Sequence, residues 1–234
     1  MHELPQAFAA AFSLLLDLDP DLLEIVGLSL GVSLSALLLA SLVGLPLGAV
    51  LAIQRFPGRH ALAILLNALM GLPPVVVGLL VYIVLSRSGP LGGLGWLFTP
   101  KAMVLAQWLL ITPIVAALAR QVVEDLWEEY AEQLRSLGAR PLRAVPTLLW
   151  DGRFRLLTTV LAGFGRAIGE VGAVIIVGGN IAHVTRVMTT AITLETSKGD
   201  LPLALGLGLV LLFMSLLVNA AAATAGALAR GGEA

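Results

Sequence analysis

"QVVEDLWEEYAEQLRSLGARPLRAVPTLLW" occupies residues Gln121 to Trp150, between two apolar runs. Val122, Val123, Leu126, Trp127, Tyr130, Ala131, Leu134 and Leu137 recur at helical spacing, while Glu124, Asp125, Glu128, Glu129, Glu132 and Arg135 fill the other face. This pattern predicts an amphipathic helix that continues out of the preceding apolar run. Gly138 suits the position just past a helix end, where a left-handed backbone stops the coil. Pro141 suits the first turn of a second, short helix, which Pro146 would end or bend. A helix, a glycine and a short basic helix make a docking knob. A solvated loop packed on the protein's own helices is the other reading.

The surrounding chain sets the context. Of its 234 residues, 58% are hydrophobic and 12% charged, and the mean hydropathy is +0.96. Soluble domains carry about a quarter charged residues, so the composition predicts an all-α, multi-pass membrane protein. The net charge of −1 points to no nucleic-acid partner. With no cysteine, disulfides and thiolate metal sites are excluded. The N-terminus has no basic stretch before its first apolar run, so no cleaved signal peptide is expected. Residues 6–16, "QAFAAAFSLLL", are too short to span and suit an interfacial helix.

Five spans are expected, near Leu22–Ile53, Ala61–Ser86, Ala102–Ala119, Phe154–Asn180 and Leu201–Leu228. The first is overlong and contains Pro46. Pro73 and Pro74 fall inside the second, where a kink is expected, lining a pathway or simply packing. Placing the N-terminus outside puts nine Lys and Arg residues inside: Arg55, Arg59, Arg120, Arg135, Arg140, Arg143, Arg153, Arg155 and Arg230. Arg87, Lys101, Arg186 and Lys198 fall outside, and Arg166 lies within a span. The positive-inside rule therefore predicts N-out and C-in, with residues 1–21 external and 121–153 a cytoplasmic loop.

"EQLRSLG", Glu132 to Gly138, resembles the EAA loop of ABC importer permeases in its glutamate and glycine, although Gln133 and Leu134 replace the two small residues. "MGLPPVVVGLLVYIVLSRSGPLG" and "GFGRAIGEVGAVIIVGGNI…TRVMTTAI" resemble the permeases of molybdate and tungstate importers, the tungstate type above all, from about Pro46 onward. The resemblance implies a single permease domain over residues 1–234 with a type I importer fold, in a prokaryotic inner membrane. It implies a homodimer in contact with lipid, two ATPase subunits that bind ATP and Mg, and an external substrate-binding protein. Glu132, Arg135, Gly138, Ala139, Arg140, Pro141, Leu142 and Arg143 would form the coupling segment seated on the ATPase. The chain itself has no phosphate-binding G-x-x-x-x-G-K-[ST] loop, and so no ATP site or other cofactor of its own is expected. No nucleophile–base pair or metal cluster is evident, so neither an enzyme nor a metal site is expected.

The stretch Gly163–Asn180 places Arg166 and Glu170 at membrane depth. Each lone charge there costs ~2.5–3.5 kcal/mol on insertion scales. Being four apart, the two are expected to share a helix face and pair. Two roles are open for them: lining or gating the pathway, or a structural ion pair. Gly165, Gly169, Gly172 and Ala173 supply small residues for close helix packing, against a symmetry mate among other options. Thr185, Arg186, Thr189, Thr190 and Thr193 form an expected outer loop whose hydroxyls and guanidinium suit an oxyanion, although such loops more often merely solvate a span's end. His183 is read as a lone histidine. A secondary transporter using Arg166 and Glu170 as a charge relay is the competing function, and it leaves the amphipathic loop unexplained.

Overall fold

The computed structural model describes residues 19–231 continuously, together with Ala9, Ser13, Leu14, Leu16 and Asp17, with side chains as far as 227. The interfacial helix expected over 6–16 lies largely outside the described residues. Among the described residues the regular elements are helical, and there is no strand. The order is α1 (Pro20–Ile53), α2 (Arg59–Met70), α3 (Pro74–Leu85), a short 3-10 turn, α4 (Pro100–Ser136), α5 (Pro141–Asp151), α6 (Arg153–Ile168), α7 (Gly172–Gly178), α8 (Met188–Lys198) and α9 (Leu201–Gly231).

Three helices are long and apolar enough to cross a membrane: α1, α4 and α9. Two broken pairs, α2 with α3 and α6 with α7, raise the number to five if each is one span. Asp19 starts α1, its carboxylate accepting from the N–H of Asp21 and of Leu22 at 3.0 and 3.1 Å. Pro46 does not break this helix, which runs 34 residues through it.

The second expected span is interrupted at its two prolines, as the sequence predicts, and the interruption is a full break between two helices. Pro73 caps α3 in an extended conformation (φ −63°, ψ 122°), and Pro74 is its first residue. Two consecutive prolines explain the break. Each pushes the residue before it out of the helical region, and each lacks the N–H that a continuing helix needs. The fourth expected span is also divided. The helix ends at Ile168, and Gly169, Glu170 and Val171 separate it from α7. Arg166 is the third-last residue of α6 and Glu170 lies in the break, so the two do not share a helix face.

The chain forms two compact units. The first takes residues 1–35, 73–107 and 167–217; the second takes 36–72, 108–166 and 218–234. Within the first, α3 packs on α7. A Cβ at Gly78 would stand 2.7 Å from the Ala173 Cα, so only glycine permits this approach. Within the second, α1 and α4 meet as closely: a Cβ at Gly48 would lie 2.4 Å from the Ala116 carbonyl oxygen. The core of the second unit gathers Ala49, Ala52 and Ile53 of α1, Val123, Leu126, Trp127 and Ala131 of α4, and Ala144 and Leu148 of α5.

Candidate functional site

The stretch from Gln121 to Trp150 is built as a helix–turn–helix within the second unit. α4 is continuous for 37 residues, from its apolar start into the amphipathic stretch. It stops at Gly138, whose φ is +76°. The Gly138 N–H donates to the Arg135 carbonyl, and the Ala139 N–H to the Leu134 carbonyl, both at 2.9 Å. This pair of bonds is the Schellman arrangement, which satisfies carbonyls that a helix end leaves over. Pro141 then occupies the first turn of α5. Pro146 does not end α5, which runs on to Asp151. Burial of Ala144 and Leu148 on either side of Pro146 holds that helix against its unit.

One face of α5 is thus fixed in the core while the other is open. Leu142, Arg143, Pro146, Thr147 and Trp150 are exposed, Trp150 to 73% and the preceding Leu137 to 82%. Glu132, Arg135, Gly138 and Arg140 are exposed as well, and Ala139 is half-buried. Arg135 stacks on the Trp127 ring, and Arg153 on Trp150 and Phe154. The turn is thereby a rigid, basic and partly apolar knob.

In the first unit a small polar cavity is lined by Ser29, Ser33, Gln107, Glu170 and Thr189. Glu170 is 4% exposed. Its Oε1 accepts the Ala173 N–H at 3.1 Å, and the Thr189 hydroxyl donates to its carbonyl at 2.8 Å. A break in a helix strands N–H groups, and in an apolar setting each must find an acceptor. Glu170 supplies one to the start of α7. This role was illegible while the stretch was read as one helix. Gln107, also 4% exposed, donates its Nε2 to the Ala167 carbonyl at 3.1 Å, and its Oε1 has no hydrogen-bond partner. A glutamine inside the apolar run "KAMVLAQWLL" was the missed signal.

The glycines of this stretch divide. Gly163 is tightly packed in the second unit, where a Cβ would meet Ile111, Leu37 and Val115 at 3.1 to 3.2 Å. Gly172 stands against Val75. Gly165 has open space, and Gly169 is exposed. Gly179 ends α7 with φ +73°.

The expected outer loop is partly helix, because α8 begins at Met188 and includes Thr189 and Thr190. Its hydroxyls serve the backbone. Thr185 is buried, donates to the Gly178 carbonyl at 2.6 Å and accepts from Ile181 N–H. Thr190 bonds Val187, and Thr193 the Thr189 carbonyl. Arg186 faces Glu195 at 3.8 Å. Nor does His183 stand alone: its Nδ1 is 2.8 Å from Glu24, with Asp21 close by. The hydrogen bond and charge of Glu24 raise its pKa above the usual histidine value. This exposed trio carries no metal assignment.

The match to known families falls on this architecture. Residues 44–228 match the family of binding-protein-dependent transport system inner membrane components. The chain belongs to that family. It is therefore the membrane permease subunit of an ABC importer, and hydrolysis of ATP belongs to a separate subunit. The chain is 41% identical to the tungstate uptake system permease protein TupB of Peptoclostridium acidaminophilum, over 94% of this permease and 96% of the relative. It is 39% identical to a protein of Haloferax volcanii described as "Probable anion ABC transporter permease protein", over 85% and 88% of the two chains. It is 38% identical to TupB of Campylobacter jejuni, over 70% and 69%. Membership requires an ATPase and a substrate-binding protein as partners and an inner-membrane, multi-pass location. It also displaces the charge-relay transporter, which would need neither partner.

Proposed function

We propose that this permease carries tungstate, with molybdate as the nearest competitor, inward through a homodimer of two copies. Tungstate is the anion named for two of its relatives. Residues 1–234 act as one permease domain, surrounded by lipid, with N-terminus outside and C-terminus inside. The nine-to-four distribution of Lys and Arg supports that orientation. Moving a dianion inward against ~100 mV costs about 4.6 kcal/mol, so accumulation needs the ATP and Mg held by the two ATPase subunits.

The observation that carries the coupling role is the two-faced α5. Ala144 and Leu148 join it to the core of its unit, while Leu142, Arg143 and Trp150 remain exposed. A push on that face moves the unit as a body. Pro73, Pro74, Gly165, Arg166, Gly169, Glu170 and Gly172 line the breaks that gate the path or pack the second copy.

The test is uptake of radiolabelled tungstate by cells expressing the permease with its ATPase and binding protein. Unlabelled tungstate should compete best, molybdate next and sulfate least; a reversed order overturns the anion. Gly138→Val forces a β-branched residue to φ +76°. It should abolish uptake and ATPase co-purification while the permease still inserts, and wild-type coupling would remove α5 from the role. The chain has no cysteine, so Ala234→Cys reports topology cleanly. Reaction with an impermeant thiol reagent in intact cells would refute the orientation alone.

A further inference from the structure

The second unit holds a large cleft outside the coupling knob. It measures about 660 Å³ and lies between the end of α1, the start of α2 and the middle of α4, lined by Arg55, Phe56, Arg59, His60, Arg120 and Glu124 among others. Arg59 is fixed in its wall, with Nε on the Leu51 carbonyl at 2.7 Å and Nη2 on the Ala52 carbonyl and on Glu124. Arg120 Nη1 takes the other oxygen of Glu124 at 2.6 Å, and its Nε is buried without a partner. One carboxylate thus serves two guanidiniums, and both of its oxygens are used. Arg55 is exposed and adds a further positive charge, and His60 is exposed beside it.

The depth of the cleft follows from α4. Its apolar run reaches Ala119, and the charged stretch begins at Arg120. The cleft therefore sits where hydrocarbon gives way to water, at the end of the molecule that carries the coupling loop. Phe56 is exposed there, and α2 leaves it with Leu62, Ile64 and Leu65 exposed. A ligand for this place must have an anionic head and an apolar tail. A free oxyanion would use the arginines and leave the apolar wall unused.

We infer that the cleft binds the phosphate headgroup of an anionic phospholipid, its acyl chains lying along α2. Guanidinium forks match phosphate oxygens, and basic pockets between membrane helices at this depth suit such heads. The site tethers the coupling unit to the leaflet beneath which the ATPase docks. Only the choice of leaflet rests on the orientation proposed above.

The test uses the intact transporter in vesicles of phosphatidylcholine containing phosphatidylglycerol, with a trace of spin-labelled phosphatidylglycerol. The motionally restricted fraction of that label reports binding. The native complex should prefer phosphatidylglycerol, and Arg55→Gln should lower the preference about fivefold, the ~1 kcal/mol that one basic group contributes at a membrane surface. Arg55→Lys should keep most of it. Arg87→Gln, an exposed arginine of the first unit, should leave it unchanged. Equal losses in Arg55→Gln and Arg87→Gln would reduce the effect to bulk charge and overturn the site. Displacement by inorganic phosphate would make it a free-anion site. Release of the ATPase by Arg55→Gln with lipid binding intact would make it a subunit interface. Any of these refutes the lipid assignment without touching the anion transported.

Discussion

The two breaks in the apolar helices are made by opposite means. At residues 71–74 two prolines, Pro73 and Pro74, remove donors. Pro74 has no N–H to satisfy, and Val76 and Val77 both reach the Pro73 carbonyl, at 3.0 and 3.2 Å. That break is autonomous and places no charge in the membrane. At residues 169–171 there is no proline. The donors remain, and an acceptor is brought to them: the Glu170 carboxylate on the Ala173 N–H. This second break needs a buried carboxylate, and it is tied to α8 through Thr189. A helix can thus be interrupted at depth by deleting a hydrogen-bond requirement or by meeting it, and only the second way leaves a titratable group in place.

The largest effect is expected at the second break. Glu170→Ala orphans a buried N–H, at a cost of about 1–3 kcal/mol, and should impair both thermal stability and uptake. Glu170→Gln keeps an acceptor and should retain most of the stability. Equal damage from both would mean that charge, not capping, is the requirement. The double change Arg166→Met with Glu170→Leu removes both charges but also the cap, so it should remain less stable than the native permease. Full recovery would return the pair to a purely ionic role.

Contact between the half-helices comes next. Gly78→Val inserts side-chain atoms where Ala173 backbone already stands, and overpacking of this kind costs about 1–3 kcal/mol. Unfolding temperature reads it directly. Gly165→Leu meets open space in the chain and should leave folding unchanged. Loss of the homodimer proposed above in that variant, seen by mass-resolved chromatography, would place the second copy on that face. Weaker still is Pro74→Ala at the first break, about 0.4–1 kcal/mol, because Pro73 still caps α3 and only unfolded-state restriction is lost.

The smallest effect lies outside the membrane. His183 has a folded pKa raised by Glu24, so its tie to α1 is fully present below the unfolded histidine value of about 6.5. It fades as pH rises through the higher folded value. His183→Gln should therefore narrow the difference in stability between mildly acidic and mildly alkaline buffer. An unchanged pH profile would show the contact to be without consequence.

The first break was legible because proline acts through its own backbone. The end of α4 was legible for the same reason: Gly138 and Pro141 mark their positions by local geometry alone. The second break was not, since Gly169 is a weak signal and Glu170 becomes a cap only when α7 exists to be capped. The outer threonines misled in a related way. A hydroxyl suits an anion or a carbonyl equally well, and the choice is made by how the chain turns: Thr185 meets Gly178 only because the segment between them folds back, and Thr189 meets Glu170 across 19 positions. Glu124 lay four residues after Arg120, a helical pair open to view, but the second guanidinium came from Arg59, across 65 positions.

The shortness of α7 has a consequence for biogenesis. Seven residues rise only about 10 Å, a third of the ~30 Å hydrocarbon thickness. Such a segment cannot be recognised by an insertion channel on its own. It must enter with α6, and its polar start must find cover at once. The surface that receives it, α3 with Gly78 at the contact, leaves the ribosome about ninety residues earlier. Order of synthesis thus matches order of need: the seat is in the bilayer before the piece that fills it arrives. A permuted chain in which α7 is translated before α3 would expose Glu170 and its stranded amides to lipid for the whole interval, making such a permutant a substrate for membrane quality control even though its finished contacts are the same.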